Sequence, residues 1–356
     1  MIKIAHEPWQ HGDILVNDLR MHYVTQGTGP LVVLLHGFPE FWYSWRFQIP
    51  ALATQGYRVV APDMRGYNRT EKPREGYDIP TLLRDIAGLI EGLGEERAII
   101  VGHDWGGALA WHFAIDYPQM TARLIVLNAP HPGAMLRALR SPAQLRKSWY
   151  IFAFQLPWLP EYLLARDHAN AIGRMLHGAA LQKAAFPREE TAKYQEAMSR
   201  PGALTAALNY YRQFFRRGLR PYRGRTLRVD APTLLIWGEH DIALGIELTH
   251  NLGEWIPNLQ IKYLPDSGHW VQQEQPEQVN RYMLEFLQEK QVLLKRETGS
   301  DFLNERETGG SACLPLVQKS EPVSLFSRTG LLFLCAEVSI WSTQAQAGSS
   351  WRYILR

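Results

Sequence analysis

An apolar run and a helix-forming run are joined by a glycine-flanked turn, Val101-Gly102-His103-Asp104-Trp105-Gly106-Gly107. The residues before it predict a buried strand over 98–101, and those after it predict a helix from Trp105. A tight strand-turn-helix bend of the form Gly-x-nucleophile-x-Gly holds its central side chain strained and exposed. The central residue here is Asp104. A helix N-cap would also use aspartate, but the flanking glycines and the preceding strand favour a nucleophile.

Other apolar runs extend this pattern into a sheet. They cover 31–35, 58–61, 124–127 and 233–237, and each is followed within two residues by glycine or a polar residue. Runs of this kind are typical of parallel strands that are buried on both faces. Helical patterns alternate with them near 44–56, 80–93 and 276–287. The order predicts an α/β protein with a doubly wound, mostly parallel sheet and right-handed crossovers.

The pattern divides the chain into three parts. Residues 1–130 and 225–292 are predicted to form the α/β core. Residues 131–224 contain no clear strand and are interpreted as a helical lid inserted between two strands, although a separate helical domain would give a similar pattern. Residues 293–356 repeat Arg-Glu-Thr-Gly at 296–299 and 306–309. We expect them to form a largely disordered extension without a catalytic role, with a docking or dimerising segment as the alternative.

Composition excludes several classes of function. The net charge of +3 is too small to indicate a nucleic-acid partner. No run of about 18 apolar residues occurs, so no membrane span is expected. The residues Met1–Glu7 lack the apolar core of a signal peptide, which predicts a cytoplasmic location. The cysteines, Cys313 and Cys335, lie near the end, so a cysteine nucleophile or zinc-thiolate site is excluded before them. Neither a metal nor a cofactor is expected.

Two further residues follow Asp104 in the order nucleophile, acid, base that hydrolases of this kind use. Asp241 comes just after the predicted strand at 233–237, and His269 follows a short strand that ends at 263–264. Either residue alone would be an ordinary turn or loop residue. Glu239 and Asp266 are alternative acids, but both occupy ordinary loop positions.

A turn after the first long strand contributes to the same site. The sequence His36-Gly37-Phe38-Pro39 can direct the Phe38 N–H towards Asp104, and the Trp105 N–H points there from the helix start. We predict that these two N–H groups form an oxyanion hole. A simple Gly-Phe-Pro turn is the alternative interpretation.

These motifs, together with Asp63-Met64-Arg65-Gly66-Tyr67 and Gly268-His269-Trp270, resemble the epoxide hydrolases of the α/β-hydrolase fold over roughly residues 5–290. Asn68 departs from the pattern, because many relatives have glycine there. The resemblance implies two lid tyrosines, which match Tyr150 and Tyr211, with Tyr210 as an adjacent alternative to the second.

The resemblance also implies a reaction. An ionised aspartate attacks an epoxide carbon, tyrosines protonate the departing oxygen, and His269, held by Asp241, activates water to hydrolyse the ester. The partners would be a small apolar epoxide and water, and the oligomeric state is left open. Residues expected to bind the substrate are His36, Pro39, Trp105, Trp149, Phe152 and Phe154.

Rival functions share parts of this pattern. Haloalkane dehalogenases also use aspartate followed by tryptophan, and N–H donors bind the departing halide. The Trp105 indole could be one donor. Because the side chain of Phe38 has no donor, the second could only be a lid tryptophan such as Trp149 or Trp158. Fluoroacetate dehalogenases have arginine at the position of Trp105. An ordinary esterase needs serine at the bend. A ligand-binding protein without catalysis is the non-enzymatic alternative.

Overall fold

The computed structural model describes residues 9–138, 142–217 and 226–297. The chain divides into two units, Met1–Glu289 and Lys290–Arg356, and the fold and the site lie in the first. The predicted extension from residue 293 lies outside the described residues from position 298 onward. Within the described ranges, every helix is too short or too polar to cross a lipid bilayer.

A single eight-stranded sheet forms the centre of the described fold, in the order β1-β2-β4-β3-β5-β6-β7-β8. From β4 to β8 the neighbouring strands run parallel, as the apolar runs predict. All residues of β3, β5 and β7 are buried, because helices cover both faces of the sheet. The strands are β1 Gln10–Val16, β2 Leu19–Gln26, β3 Leu31–Leu35, β4 Arg58–Pro62, β5 Ala98–His103, β6 Thr121–Leu127, β7 Thr233–Gly238 and β8 Leu259–Leu264.

The hairpin of β1 and β2 has no counterpart among the strands predicted from the sequence. These strands pair antiparallel, and β2 continues antiparallel onto β4. Strand β1 lies at the edge of the sheet and is mostly exposed, so its residues do not form an apolar run. The signal that could have revealed it is Asn17-Asp18, whose φ angles of 48° and 56° suit a two-residue hairpin turn.

Helices occupy the segments between the strands, and each predicted helix is present. Helix α2 shows why. Asp78 caps its N-terminus by accepting a hydrogen bond from the Thr81 N–H, and its apolar stripe is buried. The helices are α1 Gln48–Ala53, α2 Ile79–Gly92, α3 Trp105–Asp116, α4 Pro132–Ala138, α5 Pro142–Lys147, α6 Trp149–Ala153, α7 Leu159–Ala179, α8 Arg188–Ser199, α9 Ala203–Arg217, α10 Val271–Glu274 and α11 Pro276–Glu297.

The helices α4 to α9 all lie between β6 and β7, and the described residues there contain no strand. We call residues 132–138 and 142–217 the helical insertion. The domain boundaries expected from the sequence, with a lid over 131–224, stay a prediction, and residues 139–141 and 218–225 lie outside the described ranges.

Parallel strands bring their carboxyl ends to one edge of the sheet, and ligand sites of α/β proteins lie there. Asp104 follows β5, Asn128 follows β6, and Asp241 lies just after β7. His269 lies in the loop between β8 and α10. The sheet therefore gathers side chains that are far apart in sequence.

Candidate active site

Asp104 occupies a strained bend between β5 and α3. Its φ of 51° and ψ of −118° fall outside the regions that ordinary residues prefer. Chain segments approach each other closely around this bend. A Cβ on Gly102 would lie 2.2 Å from the carbonyl oxygen of Gly106, so only glycine fits. The sequence therefore needs its small residues to hold the carboxylate in this position.

The turn after β3 supplies a hydrogen-bond donor to that carboxylate. The backbone N–H of Phe38 donates to Oδ1 of Asp104 over 2.8 Å. The peptide bond between Phe38 and Pro39 is cis. A Cβ on Gly37 would lie 2.5 Å from the Cβ of Asp104, so glycine permits the approach of the turn. Trp105, the other predicted oxyanion donor, is the first residue of α3.

His269 and Asp241 lie beside Asp104 in a line. Nε2 of His269 is 3.6 Å from Oδ2 of Asp104, and its Nδ1 is 2.7 Å from Oδ2 of Asp241. Since a carboxylate only accepts, Nδ1 carries the proton in that contact. The alternative acids, Glu239 and Asp266, are exposed, whereas Asp241 is buried.

Asp241 is itself held by several donors. The Asn128 side-chain amide donates to its Oδ2 over 2.7 Å. The N–H groups of Ala243 and Leu244 donate to its Oδ1 over 2.8 and 2.9 Å. Asn128 also accepts from the Gly238 N–H at the end of β7. The orientation of Asp241 is thus fixed by the ends of two neighbouring strands.

The charges of these three side chains shift one another's pKa. Burial alone lowers the pKa of His269, but the charges of Asp241 and Asp104 raise it well above 6.5. Burial alone raises the pKa of Asp104, yet the hydrogen bond and charge of His269 bring it below 3.8. The pKa of Asp241 is also below 3.8, because the charge of His269 outweighs its burial. The arrangement thus stabilises a cationic histidine between two carboxylates.

The His269 loop is anchored by a buried carboxylate that the sequence analysis missed. Oε2 of Glu274, in α10, accepts from the N–H groups of Leu181, Gln182 and Gly268 over 2.9, 2.9 and 3.1 Å. Its Oε1 accepts from the Trp270 N–H over 3.2 Å. Glu274 therefore connects the loop on both sides of His269 to the helical insertion.

A second buried carboxylate supports the same loop from the core side. Nε2 of His103 donates to the carbonyl oxygen of His269 over 2.8 Å, and Nδ1 of His103 lies 2.8 Å from Glu40. The amides of Gln272 and Gln273 donate to the other oxygen of Glu40. The backbone of His269 is thus held from the core and from α10.

The three candidate tyrosines lie in different environments. Tyr150 and Tyr211 line the cavity that contains Asp104, and their ring centroids are 6.0 Å apart. Burial raises the pKa of both hydroxyls, and the charge of Asp104 raises them further, so both stay protonated at neutral pH. Tyr210 does not line the cavity and donates to the carbonyl oxygen of Arg65 over 2.8 Å.

The cavity beside Asp104 has a volume of about 100 Å³. An apolar protein cavity of roughly 150 Å³ can bind benzene, so this space suits a small ring or short chain. Most of its walls are apolar. They are formed by Trp105, Ala108, His112, Pro130, Pro132, Met135, Tyr150, Ile151, Tyr211, Phe214 and Leu244.

Of the residues expected to bind substrate, Trp105 lines this cavity and the others do not. His36 is buried, with Nδ1 2.9 Å from the Gly37 carbonyl and Nε2 accepting from the Met64 N–H. Phe154 is buried and its ring packs against those of Tyr211 and Phe38. Pro39 is buried, while Trp149 and Phe152 are 49% and 50% exposed on the helical insertion.

The described residues contain no group of three or more His, Cys, Asp or Glu side chains arranged to hold a metal ion. The titratable groups that converge on the cavity are carboxylate, imidazole and phenol. Such a set can perform nucleophilic attack, proton donation and water activation.

Comparison with known proteins identifies relatives of this chain in sequence and in structure. Residues 30–276 match a family model described as the alpha/beta hydrolase fold. The chain is 42% identical to epoxide hydrolase 3 of Xenopus tropicalis, over 79% of this chain and 78% of that protein. It is 40% identical to human epoxide hydrolase 4, over 76% of each. A crystal structure of a Bacillus megaterium epoxide hydrolase with an inhibitor superposes with a TM-score of 0.72 at 32% identity, covering 78% of this chain and all of that one.

Proposed function

Because this chain belongs to the epoxide hydrolases of the α/β-hydrolase fold, we propose that it converts epoxides to vicinal diols through an ester on Asp104. The observation that carries the proposal is the alignment of Asp104, His269 and Asp241 beside a cavity that also contains two protonated tyrosines. The helical insertion, which supplies both tyrosines, serves as the lid.

In the first step, Asp104 attacks a ring carbon of the epoxide. Its Oδ1 is held by the Phe38 N–H, so Oδ2 is the oxygen that forms the new C–O bond. The ring C–O bond breaks, and its electron pair goes to the ring oxygen, which takes a proton from Tyr150 or Tyr211. Two phenols that face one oxygen also orient the ring for attack.

The ester changes the protonation of His269. In the free enzyme the two flanking carboxylates favour the imidazolium, since they raise the pKa of His269. Ester formation removes the negative charge of Asp104, so this pKa falls. The imidazolium of His269 then donates its proton to the tyrosinate that the first step has produced. His269 becomes a neutral base at the stage when a base is needed.

In the second step, His269 takes a proton from water as the water oxygen attacks Cγ of Asp104. The negative charge that develops on Oδ1 is stabilised by the N–H groups of Phe38 and Trp105. The bond between Cγ and Oδ2 of Asp104 then breaks, so Oδ2 leaves with the diol, and the leaving alkoxide takes the proton from His269. The carboxylic acid of Asp104 returns its proton to His269, which restores the starting ion pair.

One turnover in ¹⁸O-labelled water with enzyme in excess tests this route. The label should enter the peptide that contains Asp104, because the first diol takes its second oxygen from the original carboxylate. A first-turnover diol that carries the label, with none on Asp104, would refute the ester mechanism. Parallel assays with a bromoalkane and with fluoroacetate separate the rival dehalogenase activities from epoxide opening.

A further inference from the structure

Six large apolar side chains lie exposed on one part of the helical insertion. They account for half of the twelve large hydrophobic residues that are exposed among the described residues. We call them the aromatic patch, and they are Trp149, Phe152, Leu156, Trp158, Tyr162 and Phe215. Exposed apolar groups clustered in this way mark a binding surface, whereas scattered ones do not.

Contacts within the insertion hold the two stretches of the patch together. The rings of Phe152 and Phe215 lie 5.7 Å apart and meet edge to face. Arg212 of α9 donates to the carbonyl oxygens of Phe154 and Leu156 and pairs with Glu161 over 2.6 Å. Helix α9 thereby fixes the segment that precedes α7 and connects it to the Phe215 end of the patch.

The patch lies in a basic part of the chain. Residues 142–168 and 212–217 contain six Lys and Arg residues and two acidic residues. Arg146 and Arg216 are exposed, and the guanidinium of Arg166 lies 5.9 Å from the centroid of the Tyr162 ring. One of the two acids, Glu161, is already paired with Arg212. Basic segments that carry exposed aromatic rings complement an anionic, partly apolar partner.

We propose that the aromatic patch binds the surface of a bilayer that contains anionic phospholipid. Trp and Tyr side chains favour the interface between headgroups and acyl chains, and Lys and Arg are attracted to anionic headgroups. A symmetric dimer through this patch would bring the cations of one copy against those of the other. The charge therefore favours a lipid surface over a second copy of the chain.

The location of the patch connects it to the catalytic cavity. Helix α6 directs Tyr150 and Ile151 to the cavity and leaves Trp149 and Phe152 exposed. Phe214 lines the cavity, and its neighbour Phe215 belongs to the patch. Apolar epoxides partition into bilayers, so docking here brings the cavity to the reservoir of its substrate. This delivery role rests on the proposed function, whereas membrane binding does not.

The test measures flotation of the full-length protein with two kinds of vesicles. One kind contains phosphatidylcholine and phosphatidylglycerol, and the other contains phosphatidylcholine alone. We expect binding to the anionic vesicles that weakens as salt is added. Each arginine near an anionic surface contributes roughly fivefold to the partition coefficient. The double variant Arg146→Gln, Arg216→Gln should therefore bind about 25-fold more weakly.

The apolar component has its own variants. The double variant Trp158→Ser, Tyr162→Ser should also lose binding, while Leu15→Ser is the matched control, because Leu15 is 75% exposed on β1 and Trp158 is 70% exposed. All of these variants should turn over a water-miscible epoxide as the wild type does. Asp104→Asn should bind vesicles normally, so a failure of the catalytic proposal leaves this result unaffected.

Three outcomes would overturn the proposal. The first is absence of binding to anionic vesicles. The second is binding that the patch variants do not reduce, which would assign it to another surface. The third is a wild-type protein that does not bind vesicles but forms a dimer in analytical ultracentrifugation, and a dimer that the double variant Trp158→Ser, Tyr162→Ser dissociates. That result would make a second copy of the chain the partner.

Discussion

Substituting the tyrosines one at a time distinguishes chemical from structural hydroxyl groups. Tyr150 and Tyr211 line the cavity beside Asp104, whereas the hydroxyl of Tyr210 donates to the Arg65 carbonyl. We expect Tyr150→Phe and Tyr211→Phe each to lower kcat for diol formation, with Tyr210→Phe as the matched control. The adjacent positions of Tyr210 and Tyr211 make this comparison a test of register.

The magnitude follows from what each hydroxyl does. A hydrogen bond to a charged oxygen contributes about 1.5–3 kcal/mol, so losing one of the two should reduce kcat roughly ten- to hundredfold. In each single variant the remaining phenol can still supply the proton. The double variant Tyr150→Phe, Tyr211→Phe loses the general acid entirely, which adds a factor on the order of 10²–10⁴.

Tyr210→Phe should behave differently. Its loss leaves the buried Arg65 carbonyl without this donor, which costs about 1–3 kcal/mol of unfolding free energy with little effect on kcat. The measurements are kcat under saturating epoxide and the urea midpoint of each variant. A kcat loss in Tyr210→Phe equal to that in Tyr211→Phe, or normal turnover in the double variant, would refute the assignment.

Other predictions address the histidine and its supports. His269→Gln should accumulate the ester, seen as a mass increase of the intact protein by one substrate, and absence of an adduct would count against water activation by His269. The pKa values of Asp104 and Asp241 lie below 3.8, so their ionisation stabilises the fold fully above that pH and less as the pH falls below it. The Tm of the wild type should therefore decrease as the pH is lowered from about 4. In Asp241→Asn this decrease should be less steep. Equal slopes of Tm against pH in the two proteins would contradict the prediction. Glu274→Gln should lower the unfolding free energy by about 1.5–3 kcal/mol and slow ester hydrolysis more than ester formation, whereas exposed Glu277→Gln should change neither. Single-turnover kinetics would contradict this role of Glu274 if both steps slowed equally.

The parallel part of the sheet could be predicted because each of its central strands is an uninterrupted apolar run. Strands β3, β5 and β7 are buried on both faces and leave that pattern in the sequence. The edge hairpin of β1 and β2 leaves only a weak alternation, because one side of β1 faces solvent. The α/β-hydrolase fold and the family resemblance are confirmed by the comparisons.

The residues of the site also divide into those that a local motif predicts and those that it does not. Asp104 stands in a local motif, so the bend could be predicted from a few neighbouring residues. The contact of Glu274 with Leu181 joins positions 93 residues apart and ends on backbone N–H groups, which no side-chain pattern encodes. The cavity walls at Pro130, Tyr150 and Leu244 come from three separate segments. Their convergence depends on how the insertion packs, and a linear pattern does not reveal it.

The carboxylate of Glu274 has a consequence for engineering. This one side chain accepts hydrogen bonds from the N–H groups of Leu181 and Gln182 and from those of the residues that flank His269. A chimera could take the segment from α4 to α9 from a relative in order to change the substrate range. It would also replace two of the hydrogen-bond donors to this carboxylate. Grafts that preserve the backbone path at 181–182 should keep His269 in position to activate water. Grafts that alter it should acquire a new substrate range and lose hydrolytic speed together.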